Sequence, residues 1–285
     1  MNNDEFLMAL QSEAATFNAA IATTDGDWII KGFIDIYKRI YTISVDTKVI
    51  SKVLELLLFP AFVTFAQKHG FDLELSPQQN FYPDLTFISK TTNQKYAVDI
   101  KSTYRISESK VSGMTLGAFT GYFRNRDSNK NTLYPYNQYL GHFVLGVVYS
   151  QCETGIDERK QYSLDDLENI QSVIRNFLFF AQPKYRIAST SPGSGNTKNI
   201  GSVSRLDDLL NGTGPFSQLG EDVYDDYWMF YLTNDMASTA NLPRPYTNLK
   251  SYLAYKSRGI ETLKAHEEQI KHLAEDEAAE AEESE

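Results

Sequence analysis

Apolar residues recur at helical spacing near the start of the chain, where Phe6, Leu7, Leu10 and Phe17 predict a helix over residues 5 to 20. Residues 28 to 44, WIIKGFIDIYKRIYTIS, are β-branched and aromatic and predict a strand pair or ribbon. Asp46 stands as an N-cap before TKVISKVLELLLF, in which Val49, Ile50, Val53, Leu54 and Leu57 form one apolar stripe. Pro60 predicts a kink or break. AFVTFAQKHG resumes the helix and Gly70 stops it. Strands are predicted over 82 to 89 and 95 to 103, and a helix over TLGAFTGYFRNRD from Thr115. A buried strand, HFVLGVVYS from His142, precedes a predicted helix, DDLENIQSVIRNFLFFAQ from Asp165. KYRIAST and IGSVSRL read as strands flanking the loop SPGSGNTKN, and EDVYDDYWMFY from Glu221 reads as a helix start. Strands and helices mixed along one chain predict an α/β or α+β core.

With 285 residues, 42% of them hydrophobic, the chain can bury one large core or two small ones. Cys152 is the one cysteine, so no internal disulfide forms, which fits a reducing cytoplasm. The start, MNNDEFLMAL, has no basic segment leading into an apolar one. The longest apolar run, from Val53, is interrupted by Glu55 and Pro60 and is expected to be too short to span a membrane. These features predict a soluble, intracellular protein with no membrane partner. A net charge of −10 argues at first against nucleic acid. Most of that charge, however, sits in residues 266 to 285, with nine Asp or Glu against one Lys, so the rest of the chain is close to neutral. Such a tail is ordinarily a solvated segment. Residues 1 to 265 are therefore read as a single domain and 266 to 285 as an acidic tail.

The stretch FYPDLTFISKTTNQKYAVDIKSTY, residues 81 to 104, holds two strand-like runs around a polar turn, each with an aspartate. Side chains alternate faces along a strand, so Asp99 and Lys101 share one face while Tyr96, Val98 and Ile100 take the other. Folded about a turn centred between Thr91 and Thr92, the hairpin sets Asp84 opposite Asp99. Cβ atoms of directly opposed residues lie roughly 4.5–5.5 Å apart, so two carboxylates placed there repel unless a cation sits between them. A hard divalent cation with oxygen ligands, Mg²⁺, fits that demand. It can polarise a phosphoryl oxygen, and Lys101 beside it can stabilise developing negative charge. Glu55, interrupting VLELLL, is a candidate third carboxylate or simply the polar edge of the helical stripe. An Asp-x-Lys on its own is compatible with an ordinary solvated strand face, and Pro-Asp with turn punctuation.

DTKVISKVLELL, QQNFYPDLTF, AVDIKSTY, GYFRN, YPYNQYLGH and GSGNTKNIGS, in that order, resemble the EcoRV-type type II restriction endonucleases. The likeness is dense over residues 41 to 150 and 185 to 228, weak at the N-terminus and over 151 to 184, and absent from the tail. It implies a PD-(D/E)xK restriction-endonuclease-like fold, with a mixed central sheet flanked by helices and a small dimerisation subdomain built near 28 to 44 and 155 to 180. It implies a bacterial cytoplasmic homodimer acting on palindromic double-stranded DNA. It also implies Mg²⁺-dependent, central, blunt cleavage of a GATATC-like site, leaving 5′-phosphate and 3′-hydroxyl ends. Carried over position by position, Asp84, Asp99 and Glu55 look like metal ligands and Lys101 the catalytic lysine. Gly193, Ser194, Gly195, Asn196, Thr197 and Asn199 match the base-recognition loop. Thr47, Gln78, Gln79, Asn80, Ser102 and Thr103 match positions at the DNA backbone or minor groove. Glycines allow close approach to base edges, Asn196 can pair with adenine and Thr197 can touch a thymine methyl. Phe81 and Lys198 depart from the family's histidine and threonine, and the stretch from Met229 lacks the family's basic residues. A structure-specific nuclease of the same fold and a catalytically silent DNA-binding module remain the alternatives.

Overall fold

A computed structural model of the protein describes residues 1–78, 80–152, 159–193 and 198–256. Gln79, Ser194, Gly195, Asn196, Thr197 and the acidic tail lie outside the described residues. Helices α1 (Asn3–Ser12) and α2 (Ala14–Ile21) divide the single helix expected at the start. Strands β1 (Gly32–Ile34) and β2 (Ile40–Thr42) pair antiparallel, as the β-branched pattern predicts. With β9 (Gln161–Tyr162) they form a small sheet of three strands.

Helix α3 (Thr47–His69) starts where Asp46 accepts the backbone N–H groups of Lys48 and Val49, and ends at Gly70 in the left-handed conformation, φ 73°. The break expected at Pro60 does not occur. Pro60 lies on the exposed face, where the carbonyl it leaves without an intrahelical partner can be hydrated. Ile50, Leu54 and Leu58 before it, and Phe62 and Phe65 after it, are buried in one core and hold both halves in line. By length and composition α3 could cross a membrane, contrary to the expectation from its interruptions, but those residues spend its apolar stripe on the protein's own sheet.

The central sheet follows the order β10-β8-β5-β4-β3, with β6 (Lys110–Val111) pairing with β5. Its strands are β3 (Phe71–Leu75), β4 (Leu85–Ser89), β5 (Lys95–Ser107), β8 (Tyr139–Gln151) and β10 (Ile174–Pro183). β5 and β8 are parallel and the other neighbours along that order antiparallel, which makes the sheet mixed. Alternation along β5 and β8 divides the apolar residues between two cores. Tyr96, Val98, Phe143, Leu145 and Val147 meet α1, α2 and α3, whereas Ala97, Val144 and Val148 face the C-terminal half of the chain.

Two expected helices are strands. Residues 174 to 183 form β10 because their apolar run feeds both cores, Phe179 and Ala181 on one face and Phe180 on the other. An unbroken run of that kind has no period that separates helix from strand. In the stretch from Thr115, Gly117 (φ 91°) and Gly121 (φ 53°) take left-handed backbone that no α-helix contains. Thr115–Ala118 is strand β7, followed by a short 3₁₀ turn. Beyond β10, a single helical turn, α4 (Lys184–Ile187), replaces the start of an expected strand. β11 (Ala188–Pro192) and β12 (Asn199–Ser202) pair with each other, and β12 pairs with β7. Helices α5 (Leu206–Asn211), α6 (Glu221–Met229), α7 (Asn234–Thr239) and α8 (Leu249–Lys256) cover the second core.

Gly146 pairs with Lys101 on one side and Phe180 on the other, and a Cβ at this position would lie 2.0 Å from Phe180 Cζ. Gly146→Ala must displace that buried ring. It is expected to lower stability by about 1–3 kcal/mol in urea denaturation.

Candidate active site

The β4–β5 hairpin carries the chemistry. Its observed register, Leu85↔Val98 through Ile88↔Lys95, continues outward to set Asp84 beside Asp99, as the turn position predicts. Asp84 lies just before β4, and its backbone N–H donates to Asp99 Oδ1 at 3.4 Å. Its own Oδ2 accepts the Ile100 N–H at 2.7 Å, so the backbone of β5 orients the carboxylate. Lys101 Nζ stands between the pair, 3.3 Å from Asp99 Oδ2 and 3.6 Å from Asp84 Oδ2.

Burial, with the nearby negative charge of Asp99 and Glu55, pushes Asp84 up to about 6, against the opposing pull of Lys101 and the Ile100 N–H. Burial alone would lower Lys101, but Asp99 and Asp84 outweigh it and hold the ammonium well above its usual range. With no cation on the pair, Lys101 is therefore an ammonium near neutral pH. The donor set offered by Asp84 and Asp99 is all hard oxygen, and a cationic group already stands against both. Both facts fit Mg²⁺.

Beside the pair, a cleft of about 730 Å³ runs between the N-terminal half of α3 and β7, lined by Thr47, Glu55, Lys101, Ser102, Thr103 and Thr115 among others. Thr47 is exposed at the start of α3. Ser102 Oγ is 2.7 Å from Ser51 Oγ, and Thr103 Oγ1 donates to the Ser112 carbonyl at 2.6 Å, so both are tied into the cleft wall. Glu55 faces the same cleft but is paired with Lys52 at 2.7 Å. Among the described residues, no three His, Cys, Asp or Glu side chains come together as a cation cluster, so Glu55 is not gathered with Asp84 and Asp99. Gln78 and Asn80 are exposed in the turn between β3 and β4. Gly193 and Asn199 flank the tip of the β11–β12 hairpin, where the Gly193 N–H donates to the Asn199 carbonyl at 2.9 Å. Asn199 also pairs with Ala118 of β7, which mounts the hairpin on the wall of the cleft.

The model of the family described as "Restriction endonuclease EcoRV" matches residues 24–257. The chain is 37% identical over 235 residues to the type II restriction enzyme EcoRV of Escherichia coli, covering 80% of this chain and 91% of that protein. This chain belongs to the EcoRV family of restriction endonucleases. Membership makes it a type II restriction endonuclease, a deoxyribonuclease whose substrate is DNA. Its mixed sheet flanked by helices is the restriction-endonuclease-like fold. The solved NlaIV restriction endonuclease superposes with a TM-score of 0.40 at 9% identity, over 90% of this chain and 96% of that one, and nothing further rests on so loose a likeness.

The sequence pattern overlooked what stands behind the carboxylates. The residue pair before Asp84, Tyr82-Pro83, is anchored by the Tyr82 side chain, whose hydroxyl lies 2.7 Å from His142 Nδ1. The Tyr82 ring stacks on Tyr122 at 4.8 Å, and His142 stacks on Tyr136 at 3.8 Å. These residues come from separate segments, and no spacing rule joins them. His142 within an otherwise apolar strand was the one visible sign.

Because Asp84 is raised above the unfolded value of 3.8, its ionisation opposes folding in the metal-free protein. Asp84→Asn is expected to raise the melting temperature by about 2–4 °C at neutral pH. The gain should shrink as pH falls through about 6 and vanish near the unfolded value, because the wild-type carboxyl then gains its proton. Thermal melts across that range check it, and a gain independent of pH contradicts it.

Proposed function

We propose that the chain is a Mg²⁺-dependent homodimeric nuclease that cuts both strands of a short GATATC-like palindrome at its centre. The product ends would be 5′-phosphate and 3′-hydroxyl. The observation that carries this reading is the geometry of Asp84, Asp99 and Lys101, two carboxylate oxygens within 3.6 Å of one ammonium on a rigid hairpin. Asp84 and Asp99 would hold Mg²⁺, with Glu55 approaching from α3 as an auxiliary acid. When bound, the ion polarises a phosphoryl oxygen and acidifies water. Lys101, fixed as a cation, stabilises the charge that develops on the phosphate. The water oxygen bonds to phosphorus and releases a proton to solvent, the P–O3′ bond breaks and the 3′ oxygen takes up a proton. Thr47, Ser102 and Thr103 line the cleft as contacts for the DNA backbone. Gln78, Gln79 and Asn80 are proposed for the minor groove. Gly193 to Thr197 with Asn199 are proposed to read base edges, a role supported by the mounting of their hairpin on β7. A soluble bacterial cytoplasmic setting accords with the family.

Dimerisation is assigned to the elements near 28 to 44 and 155 to 180. Phe33, Ile34, Ile36 and Tyr37 are 53%, 58%, 89% and 70% exposed there, more apolar surface than a solvated hairpin needs.

Plasmid incubated with the purified protein and Mg²⁺ should give discrete blunt fragments, and sequencing their ends should return one palindrome. Asp99→Ala and Lys101→Ala should each fold and lose cleavage by several orders of magnitude. Structure-dependent nicking, or near wild-type cutting by either variant, would overturn the reading. Light scattering should report a dimer for the wild type and a monomer for Ile36→Asp with Tyr37→Asp, and a monomeric wild type would remove the dimer.

A further inference from the structure

β10 ends at Pro183, and the next residue, Lys184, is 2% exposed. Its Nζ lies 4.8 Å from the centre of the Tyr82 ring and 5.9 Å from that of Tyr136. Gly117 of β7 closes another side, since a Cβ there would come within 3.2 Å of Nζ and 3.0 Å of the Tyr122 hydroxyl. Among the described residues, none forms a hydrogen bond to the ammonium.

Enclosing an ion in this way costs several kcal/mol. The two ring faces offset only part of that. The rest requires negative charge nearby. Pro183 pairs with Phe143 and Phe143 with Val98, so Lys184 follows a strand residue in register with the one before Asp99, and the Tyr82 ring it lies against is two residues before Asp84. The carboxylates whose charge acts on it are Asp99 and, from α6, Asp225 and Glu221. Asp225 is already committed to Arg126, 2.7 Å away. Burial brings Lys184 down to about 8, with Lys101 adding to the fall and Asp99, Asp225 and Glu221 opposing it, so it remains an ammonium at neutral pH. Burial, with the positive charges of Lys184 and Arg126, also keeps His142 far below its usual range, which leaves a neutral imidazole to hold the Tyr82 hydroxyl.

Two cations therefore flank the carboxylate pair, Lys101 in the cleft and Lys184 in the interior. We propose that Lys184 is a positioning residue for the cleavage reaction, a fixed buried charge behind Asp99. It offsets the repulsion between Asp84 and Asp99 and, by opposing a second cation, sets the affinity of the pair for a divalent ion. The inference rests on the reading that Asp84 and Asp99 hold that ion. It separates a charge role from a packing role by sign: removing a repelling charge tightens cation binding, whereas loosening the pair weakens it.

The test adds Mn²⁺ alone to the full chain without DNA and follows the unbound ion by electron paramagnetic resonance. Lys184→Met, which keeps the length of the side chain, should retain the wild-type circular dichroism and bind Mn²⁺ roughly tenfold more tightly. It should also need less Mn²⁺ for half-maximal plasmid cleavage, with KM for DNA unchanged. Asp99→Ala should lose the binding. If Lys184→Met does not fold, Lys184→Gln, neutral but able to hydrogen-bond, carries the same expectation. Equal or weaker Mn²⁺ binding by a folded variant overturns the role of Lys184 alone. A wild type that takes up no Mn²⁺ overturns the assignment of Asp84 and Asp99 as ligands, and this inference with it.

Discussion

The confinement of two carboxylates, Asp84 and Asp99, away from water governs the arrangement around them, with burial the larger cost and their mutual repulsion added to it. Two unit charges roughly 5 Å apart repel by about 3 kcal/mol at an effective dielectric of about 20. The hairpin imposes that cost through its register, since every pairing from Leu85↔Val98 to Ile88↔Lys95 repeats the same offset. Lys101 opposes the repulsion from the cleft, and the Ile100 N–H takes one oxygen of Asp84. What the metal-free protein loses in stability is the attraction available to a divalent cation. Active sites commonly hold such local instability because the surrounding fold over-determines the geometry.

That over-determination comes from the sheet. β5 and β8 form its parallel centre and are packed on both faces, by α1, α2 and α3 on one side and by the C-terminal elements on the other. Asp99 and Lys101 project from a strand paired on both edges and packed on both faces, a setting that holds reacting groups to a fraction of an ångström. Tyr82, Tyr122, Tyr136 and His142 stack beside the segment that leads into Asp84, so that side of the site is built of aromatic rings.

The cleft joins this rigid site to the surfaces assigned to DNA. It is lined by the start of α3, with Thr47 and Glu55, by residues 100 to 104 of β5, and by residues 112 to 115, the last of which opens β7, to which β12 is hydrogen-bonded. The hairpin assigned to base reading and the carboxylates assigned to cleavage thus share one short strand between them. Gly117, on that strand, sits against both Lys184 and Tyr122.

The sequence by itself determined whatever follows from local spacing. The Asp46 cap, the Gly70 stop, the register of Asp84 on Asp99 and the common face of Asp99 and Lys101 all depend on residues close together in the chain, and the structure has each of them. The motif order also carried the family, because several short segments agreed at once. Tertiary packing decided the rest. Residues 174 to 183 became a strand because both cores needed their apolar side chains, a demand that periodicity does not register. Pro60 stayed within a continuous helix because contacts on either side outweighed one missing hydrogen bond. Lys184 came to lie against Tyr82 across 102 positions of sequence, because β8 brings β10 alongside β5. Burial and electrostatic neighbourhood are properties of the assembled core, so no local pattern could announce them.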